Sequence, residues 1–264
     1  LAAGVAGLGG ATFPTHVKLT IPKGKAAEYV LINGVECEPF LTSDHRVMLE
    51  HGREIIIGIR LILRALNLSR ALVGIEENKP DAVGHLAGLA RDFPEIKIVP
   101  LKVKYPQGGE RQLVKALVNR EVPPPPAGLP IDAGCVVFNV ATVYAIYEAV
   151  QKNKPLIERV VTVTGKGLQK PGNYLTRLGV PVSFAGAVGD DGYGRFVRDD
   201  FVTEGVDVSG VRMVPDAFTA MVIAMVEPSG ERWIVVWPPE RGADNLLRPE
   251  DVDAAQIAAA GWLH

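Results

Sequence analysis

Hydrophobic and polar positions alternate along the first 150 residues in the pattern of an α/β protein. Short apolar runs predict strands at 28–33, 71–75, 96–101 and 135–139. Hydrophobic residues spaced three or four positions apart predict helices at about 45–66, 81–91, 111–117 and 141–150. Strands and helices that alternate in this way indicate a parallel sheet with helical crossovers. We therefore predict an α/β fold.

The pattern changes after about residue 155. The predicted elements are, in chain order, a strand at 160–165, a strand at 182–188, a loop at 189–194, a helix at 195–204, short strands at 221–226 and 233–236, a helix at 249–259 and a last strand at 262–264. A turn is predicted at Pro171-Gly172. The chain is therefore expected to contain more than one folded section.

Composition and charge exclude several classes of protein. Of the 264 residues, 47% are hydrophobic and 22% are charged, which is typical of a globular chain and not of a disordered one. The 28 basic and 30 acidic residues give a net charge of -2, so no nucleic-acid partner is predicted. Every long apolar stretch is interrupted by charged residues, so direct insertion into a membrane is not expected either.

The cysteines and the two termini add further expectations. Cys37 and Cys135 are too few for a disulfide framework or for a four-cysteine iron–sulfur cluster, so a reducing compartment is predicted. Cys37 is interpreted as a packing residue because no histidine is an obvious partner for it. The sequence starts at Leu1 and stops at His264 without a polar tail, and we expect both ends to be cut.

The opening segment is rich in glycine. Gly7, Gly9 and Gly10 lie close together, and Lys18 follows them. Clustered glycines let backbone N–H groups approach a phosphate, and a lysine nearby would add positive charge. A plain tight turn explains the same glycines equally well.

Three later segments place polar residues directly after predicted strands. The residues are Asn33, Glu36 and Glu38, then Gly108, Gly109 and Glu110, and finally Asn139 and Thr142. Ligands of open α/β sheets bind at the carboxyl ends of the strands, so these loops predict a shared crevice. The carboxylates could hydrogen-bond a polar heterocycle or ribitol hydroxyls, although a solvated acidic loop is the alternative for 33–39.

These segments together resemble the amino-terminal region of RnfC, a subunit of the Rnf electron-transport complex. That region is similar to the flavin-carrying subunit of respiratory complex I. The matching segments are 7–18, 33–39, 75–80, 105–110, 139–142 and 156–165. The resemblance covers residues 1 to about 173. It implies a Rossmann-like domain at 1–155 that binds FMN and NADH, followed by the truncated start of a β-grasp unit at 156–176.

The resemblance also implies roles for individual residues. The flavin phosphate and ribityl chain would face Gly7, Gly9, Gly10 and Lys18, and the flavin and nicotinamide pocket would be lined by Asn33, Glu36 and Glu38. Its other wall would carry Gly108, Gly109 and Glu110, with Asn139 and Thr142 against the flavin. The implied partners are the other, membrane-embedded subunits of an Rnf complex. The implied location is the cytoplasm, peripheral to the inner face of the cell membrane.

From residue 177 the sequence resembles a different family, the PfkB or ribokinase-like carbohydrate kinases. The matching segments are 177–181, 184–194, 204–208 and the hairpin at 219–236. The resemblance implies a partial ribokinase-like α/β fragment at 177–264, with Gly189, Asp190 and Gly194 near the sugar. The Gly-Ala-Gly-Asp turn of that family is absent, because 242–245 lacks the second glycine. Kinase activity is therefore not expected.

The boundary between the two resemblances leaves three functions open. Residues 173–181 fit both families, and no linker rich in Gly, Ser or Pro separates them. We expect a chimeric or truncated reading frame, with a bifunctional enzyme as the alternative. The first function is an RnfC-like electron-transfer protein that binds FMN and oxidises NADH without its iron–sulfur module. The second is a carbohydrate-kinase fragment that is inactive as it stands. The third is a non-catalytic product that binds flavin weakly or not at all.

Overall fold

The computed structural model describes residues 2–10, 12–124, 128–164, 171–178, 186–219, 221–226, 232–237 and 242–243. The chain divides into two compact units, Leu1–Leu178 and Gly179–His264.

A four-stranded parallel sheet forms the centre of the first unit. Its strands are β1 (Tyr29–Gly34), β2 (Ala71–Glu76), β3 (Ile96–Leu101) and β4 (Cys135–Asn139), in the order β3-β2-β1-β4. The chain runs outward from β1 to β3 and then returns to place β4 on the other side of β1. The strand order therefore reverses between β1 and β4, where α/β sheets form ligand crevices. The predicted α/β class with a parallel sheet is confirmed.

Six α-helices accompany this sheet in the described residues. They are α1 (Thr15–Lys18), α2 (Ser43–Glu50), α3 (Gly52–Leu66), α4 (Pro80–Leu89), α5 (Glu110–Val118) and α6 (Val140–Gln151). The single helix predicted at 45–66 is in fact two, because His51 leaves the helical conformation at φ -125°. A Cβ on Gly52 would lie 2.7 Å from His85 and Leu89, so glycine at this corner lets α3 begin against α4.

Hydrophobic side chains pack on both faces of the sheet. Along β1, Val30 and Ile32 join the larger cluster beneath α2, α3, α4 and α6, whereas Leu31 joins the smaller cluster beside α5. Burial on both faces explains why β1 is a continuous apolar run. Helices α3 and α6 pack so closely that a Cβ on Gly58 would lie 2.6 Å from the carbonyl oxygen of Val143.

A two-stranded antiparallel hairpin completes the first unit. It consists of β5 (Glu158–Val163) and β6 (Gly172–Arg177), paired from Glu158 with Arg177 to Val163 with Gly172. The hairpin is attached to the loop before α2, since the Thr42 amide donates to Thr162 Oγ1 over 3.1 Å and Asn173 Nδ2 donates to Thr42 Oγ1 over 3.0 Å. Strand β5 begins two residues before the predicted strand. Strand β6 was not predicted, because its polar sequence lacks an apolar run.

The second unit contains a parallel pair, a helix and a hairpin in its described residues. These elements are β7 (Gly186–Gly189), α7 (Gly192–Thr203), β8 (Val211–Val214), β9 (Met221–Val226) and β10 (Arg232–Trp237). Strand β7 pairs with β8, which was not predicted, and β9 pairs with β10. The elements predicted at 249–259 and 262–264, and the first part of the strand at 182–188, lie outside the described residues.

Candidate functional site

A cavity of about 550 Å³ lies along the outer edge of β4, beside the point where the strand order reverses. Its volume is typical of small-molecule sites. Ten of the twelve residues predicted for the first site line it, namely Gly7, Gly9, Gly10, Lys18, Asn33, Gly108, Gly109, Glu110, Asn139 and Thr142. Apolar residues that include Phe13, Ile21, Leu129 and Ile131 supply much of the remaining wall. The cavity therefore combines one apolar wall with polar groups from four loops.

The glycine-rich loop is fixed to the first turn of α6. The Leu8 amide donates to Thr142 Oγ1 over 2.9 Å, and Arg159 Nη2 donates to the Leu8 carbonyl over 3.0 Å. A Cβ on Gly9 would lie 2.7 Å from Asn139 Nδ2, so packing inside the protein already requires glycine there. A Cβ on Gly10 would meet nothing within 4 Å. Internal packing therefore explains Gly9 and leaves Gly10 facing open space in the cavity wall.

Lys18 places a positive charge in the cavity wall. Its Nζ donates to Glu110 Oε1 over 2.7 Å and to the Val137 carbonyl over 3.0 Å. The ammonium thus connects α1 with the edge of β4 and with the first turn of α5. An anionic group that entered the cavity would find this cation already held at its wall.

The loops after β1 and β3 are tied to each other. Asn33 Nδ2 donates to the Gly108 carbonyl over 2.8 Å, and Asn33 Oδ1 accepts from the Val35 amide over 3.1 Å. A Cβ on Gly108 would lie 3.2 Å from the Val35 carbonyl and 3.3 Å from Cys37 Sγ. Cys37 packs beside the smaller hydrophobic cluster, and burial raises the pKa of its thiol.

Glu36 and Glu38, the other two residues predicted for this site, do not line the cavity. Glu38 is exposed, whereas Glu36 is only 6% exposed and its carboxylate accepts hydrogen bonds from the start of α2. The Asp44 amide donates to Glu36 Oε1 over 2.7 Å and the His45 amide to Oε2 over 3.0 Å. Glu36 therefore satisfies amide groups that the first turn of a helix leaves without partners.

Asp44 is a residue of this region that was not predicted from the sequence. Its Oδ2 accepts a hydrogen bond of 2.5 Å from Asn139 Nδ2, and Asn139 Oδ1 accepts from the amides of Ala141 and Thr142 at the start of α6. Burial, together with the negative charge of Glu36, raises the pKa of Asp44 to about 7. Polar residues before a helix are a recognisable start signal, but the contact with Asn139 is set by the tertiary fold.

Thr15 is a residue of the cavity that was not among those predicted for this site. It lines the cavity and is only 4% exposed. Its hydroxyl is buried and has no hydrogen-bond partner among the described residues.

The glycines of the second unit serve its internal packing. A Cβ on Gly189 would collide with the Ala217 carbonyl, and a Cβ on Gly194 would collide with the Gly189 carbonyl. Asp190 forms an ion pair with Arg195 over 2.5 Å. The neighbouring residue Asp191 accepts from the Gly194 amide over 2.7 Å and caps α7. The role of Gly189, Asp190 and Gly194 near a sugar therefore remains a prediction.

The described part of the chain offers neither a metal site nor a membrane span. No three His, Cys, Asp or Glu side chains among the described residues come together as metal ligands. None of the helices in those ranges has the length and apolar character needed to cross a membrane.

Comparison with known proteins identifies the family of the first unit. Residues 1–148 match the family model of the Nuo51 FMN-binding domain. The chain belongs to this family. The cavity thus lies within a Nuo51-type FMN-binding domain, since all its lining residues fall inside the matched range.

Two relatives of this FMN-binding domain are components of ion-translocating complexes. The C subunit of the proton-translocating ferredoxin:NAD(+) oxidoreductase complex of Clostridium ljungdahlii is 46% identical over 177 residues, which are 67% of this chain and 38% of the relative. The C subunit of the Na(+)-translocating complex of Acetobacterium woodii is 42% identical over 181 residues, which are 69% of this chain and 40% of the relative. The chain therefore spans about two fifths of the length of these relatives.

The remaining comparisons concern the fold and the second unit. The crystal structure of an NAD+-reducing NiFe-hydrogenase in its air-oxidized state matches with a TM-score of 0.56 and 23% identity. The match covers 91% of this chain and 42% of the hydrogenase chain, and it shows a shared fold. Residues 173–262 match the family model of the pfkB carbohydrate kinases. The predicted resemblances of both parts of the chain are confirmed.

Proposed function

We propose that the Nuo51-type domain binds FMN in the cavity beside β4 and oxidises NADH, as the flavin-carrying part of an RnfC-like electron-transfer protein. The observation that carries this proposal is the cavity itself, placed at the reversal of strand order and lined by the loops that resemble the flavin site of the family. The matched family model is an FMN-binding domain, and the relatives are oxidoreductase subunits named for NAD(+).

The residues of the cavity fit the chemistry of FMN. The open backbone at Gly10 and the ammonium of Lys18 suit an anionic phosphate, and the apolar wall that includes Phe13 and Ile131 suits a flat aromatic ring. The buried hydroxyl of Thr15 is a polar atom that the described protein groups do not satisfy. We therefore assign the phosphate end to the glycine-rich loop and the ring to the side of β4.

The protein's part in the reaction is binding and orientation. Bound FMN supplies the hydride-accepting chemistry, which belongs to the cofactor and not to the side chains. Asn33 and Asn139 hold the cavity walls in place through their hydrogen bonds to Gly108 and to the first turn of α6. Because the Glu36 carboxylate is used by α2, the exposed Glu38 is the carboxylate that we propose to meet the nicotinamide nucleotide.

The relatives support a proposal about partners and location. Both are C subunits of ion-translocating complexes, so we propose that this chain docks on the membrane subunits of an Rnf-type complex at the inner face of the cell membrane. The 264 residues include two cysteines, so we also propose that FMN is the only redox centre held within them.

Titration with FMN tests the proposal. The flavin-free protein should quench FMN fluorescence on binding, and Gly10→Val should weaken binding about tenfold or more, since its side chain projects from the cavity wall. Gly84→Val is the matched control, because a Cβ there also meets nothing within 4 Å but Gly84 lies in α4, away from the cavity. NADH should then bleach the visible absorbance of the bound flavin.

Two results would count against this function. One is a wild-type protein that binds no FMN, and the other is a Gly10→Val variant with wild-type affinity. In the second unit, no observation on the described residues favours a separate activity, since Gly189, Gly194 and Asp191 are engaged in internal packing and capping.

A further inference from the structure

We propose that Arg159 is a positioning residue of the flavin site, which holds the glycine-rich loop at 7–10 in the place where it meets the phosphate group of the bound molecule. This inference rests on the proposed function of the cavity and adds a residue to it from outside the matched domain. The match to the FMN-binding family ends at residue 148, whereas Arg159 lies in β5.

The backbone of Leu8 in this loop is held from two sides. Its amide donates to Thr142 Oγ1 over 2.9 Å, and its carbonyl accepts from Arg159 Nη2 over 3.0 Å. One hold comes from α6 and the other from the hairpin of β5 and β6. The next two residues, Gly9 and Gly10, line the cavity, and Arg159 is not among the lining residues. We therefore assign Arg159 a role through the loop and not a contact with the bound molecule.

The charge of Arg159 strengthens its hold on the loop. A hydrogen bond from a charged donor is stronger than one between neutral groups, and Arg159 is half-buried, so solvent screens its charge less than that of an exposed side chain. Asp44 senses the same charge: burial is the main cause that raises the pKa of Asp44, and Arg159 acts in the opposite direction. The guanidinium therefore acts both on the loop and on the carboxyl group that accepts from Asn139.

The strand that carries Arg159 is itself fastened to the first 150 residues. Before β5, the Leu156 amide donates to the Ala3 carbonyl over 2.9 Å. Farther along the strand, Thr162 Oγ1 accepts from the Thr42 amide over 3.1 Å. These bonds lie on either side of Arg159, so its long side chain starts from a backbone that is fixed at both ends.

The same hairpin contains a matched control for Arg159. Arg177 carries the same charge on the neighbouring strand β6, where it pairs with Glu158, but it is exposed. Replacement of Arg177 removes one positive charge from the hairpin and leaves the Leu8 carbonyl with its donor. Replacement of Arg159 removes the same charge together with that donor.

The experiment compares Arg159→Met, Arg159→Lys and Arg177→Met in two measurements on the full chain. The first is hydrogen exchange of the backbone amides of residues 5–10 in the flavin-free protein, which Arg159→Met should accelerate because the Leu8 carbonyl loses its donor. The second is the dissociation constant for FMN and for riboflavin, which lacks the phosphate. Arg159→Met should weaken FMN binding about tenfold and leave riboflavin binding nearly unchanged. Arg159→Lys retains a cationic donor and should recover part of the lost FMN affinity, and Arg177→Met should match the wild type in both measurements.

The outcomes separate this inference from the proposed function. If the wild-type protein binds FMN and Arg159→Met binds it equally well, the positioning role is wrong while the flavin site stands. Equal losses for FMN and riboflavin would overturn the assignment to the phosphate. A loss of FMN affinity without faster exchange of residues 5–10 would overturn the action through the loop. If Arg159→Met does not fold, Arg159→Gln takes its place, since it is too short to reach the Leu8 carbonyl, and the same results count for or against the inference. If the wild-type protein binds neither flavin, the proposed function fails and this role fails with it.

Discussion

Replacement of Asp44 by Asn should stabilise the protein at pH 8 and change its stability little at pH 4. Asp44 lies at the start of α2, where its carboxyl group accepts a hydrogen bond from Asn139 and lies near Glu36. Asparagine has nearly the same shape and retains an oxygen that can accept from Asn139. The substitution therefore removes the ionisation of this side chain and little else.

The magnitude follows from the difference between the folded and unfolded pKa. Burial and the charge of Glu36 raise the pKa of Asp44 from 3.8 to about 7, although Asn139, Arg159 and Lys79 act in the opposite direction. The folded state then holds a proton that the unfolded state has lost, so stability falls as the pH rises from about 4 to about 7. At 1.36 kcal/mol for each pKa unit, the cost above pH 7 is at most about 4 kcal/mol.

Urea unfolding at pH 4, 6 and 8 measures this effect. The free energy of unfolding of Asp44→Asn should exceed that of the wild type by up to about 4 kcal/mol at pH 8, and the gain should shrink toward pH 4. The control is Asp81→Asn, because hydrogen bonds from His45 and from the Ala82 amide lower the pKa of Asp81. That variant should show no gain at pH 8.

Two results would refute this reasoning about Asp44. A loss of stability at pH 8 would mean that the carboxylate is charged and favourable in the folded protein. A gain of equal size at every pH would mean that the effect does not come from ionisation.

Two further predictions concern packing and the relative stability of the two units. Gly58→Ala should lower the free energy of unfolding by about 1–3 kcal/mol in urea titration, because its Cβ would lie 2.6 Å from the Val143 carbonyl. The control is Gly88→Ala in α4, whose Cβ would meet nothing within 4 Å and which should not destabilise the protein. Equal effects of the two substitutions would contradict the close contact of α3 with α6. Limited proteolysis followed by mass spectrometry should cut first after about residue 175 and leave an amino-terminal core, because strands taken from a larger kinase sheet would lack the neighbours that cover their edges. Survival of the carboxy-terminal part beyond the amino-terminal part would contradict this prediction.

The sequence predicts the sheet of the first unit well because its central strands, β1 and β2, are buried on both faces. Strand β1 is a run of apolar residues for that reason, and the observed bounds of β3 and β4 agree with the prediction. The break at His51 was not predicted, because the apolar spacing continues through it and only the contact of Gly52 with α4 explains the corner. Strand β6 is recognisable only through its pairing with β5.

The site was predicted at the level of its loops more than at the level of its atoms. Gly9 and Gly10 are equivalent in the sequence, yet Gly9 is required by Asn139 whereas Gly10 faces open space. Glu36 and Glu38 are likewise similar in the sequence, but the start of α2 takes the Glu36 carboxylate. These distinctions depend on which segments meet in three dimensions, which a single sequence does not state.

The hairpin of β5 and β6 lies across the start of the kinase match. The kinase match begins at residue 173, inside β6, yet the hydrogen bonds of Asn173 run to Thr42 and Thr162 in the first unit. A truncated protein that stopped at the family boundary would leave β5 without its neighbour and expose a bare strand edge. A protein ended at Leu178 would retain the pairing of Glu158 with Arg177 and the bond from the Leu178 amide to Ile157. The end of the β5–β6 pairing at Leu178, and not the start of the sequence match at residue 173, therefore marks where the two halves can be separated for expression.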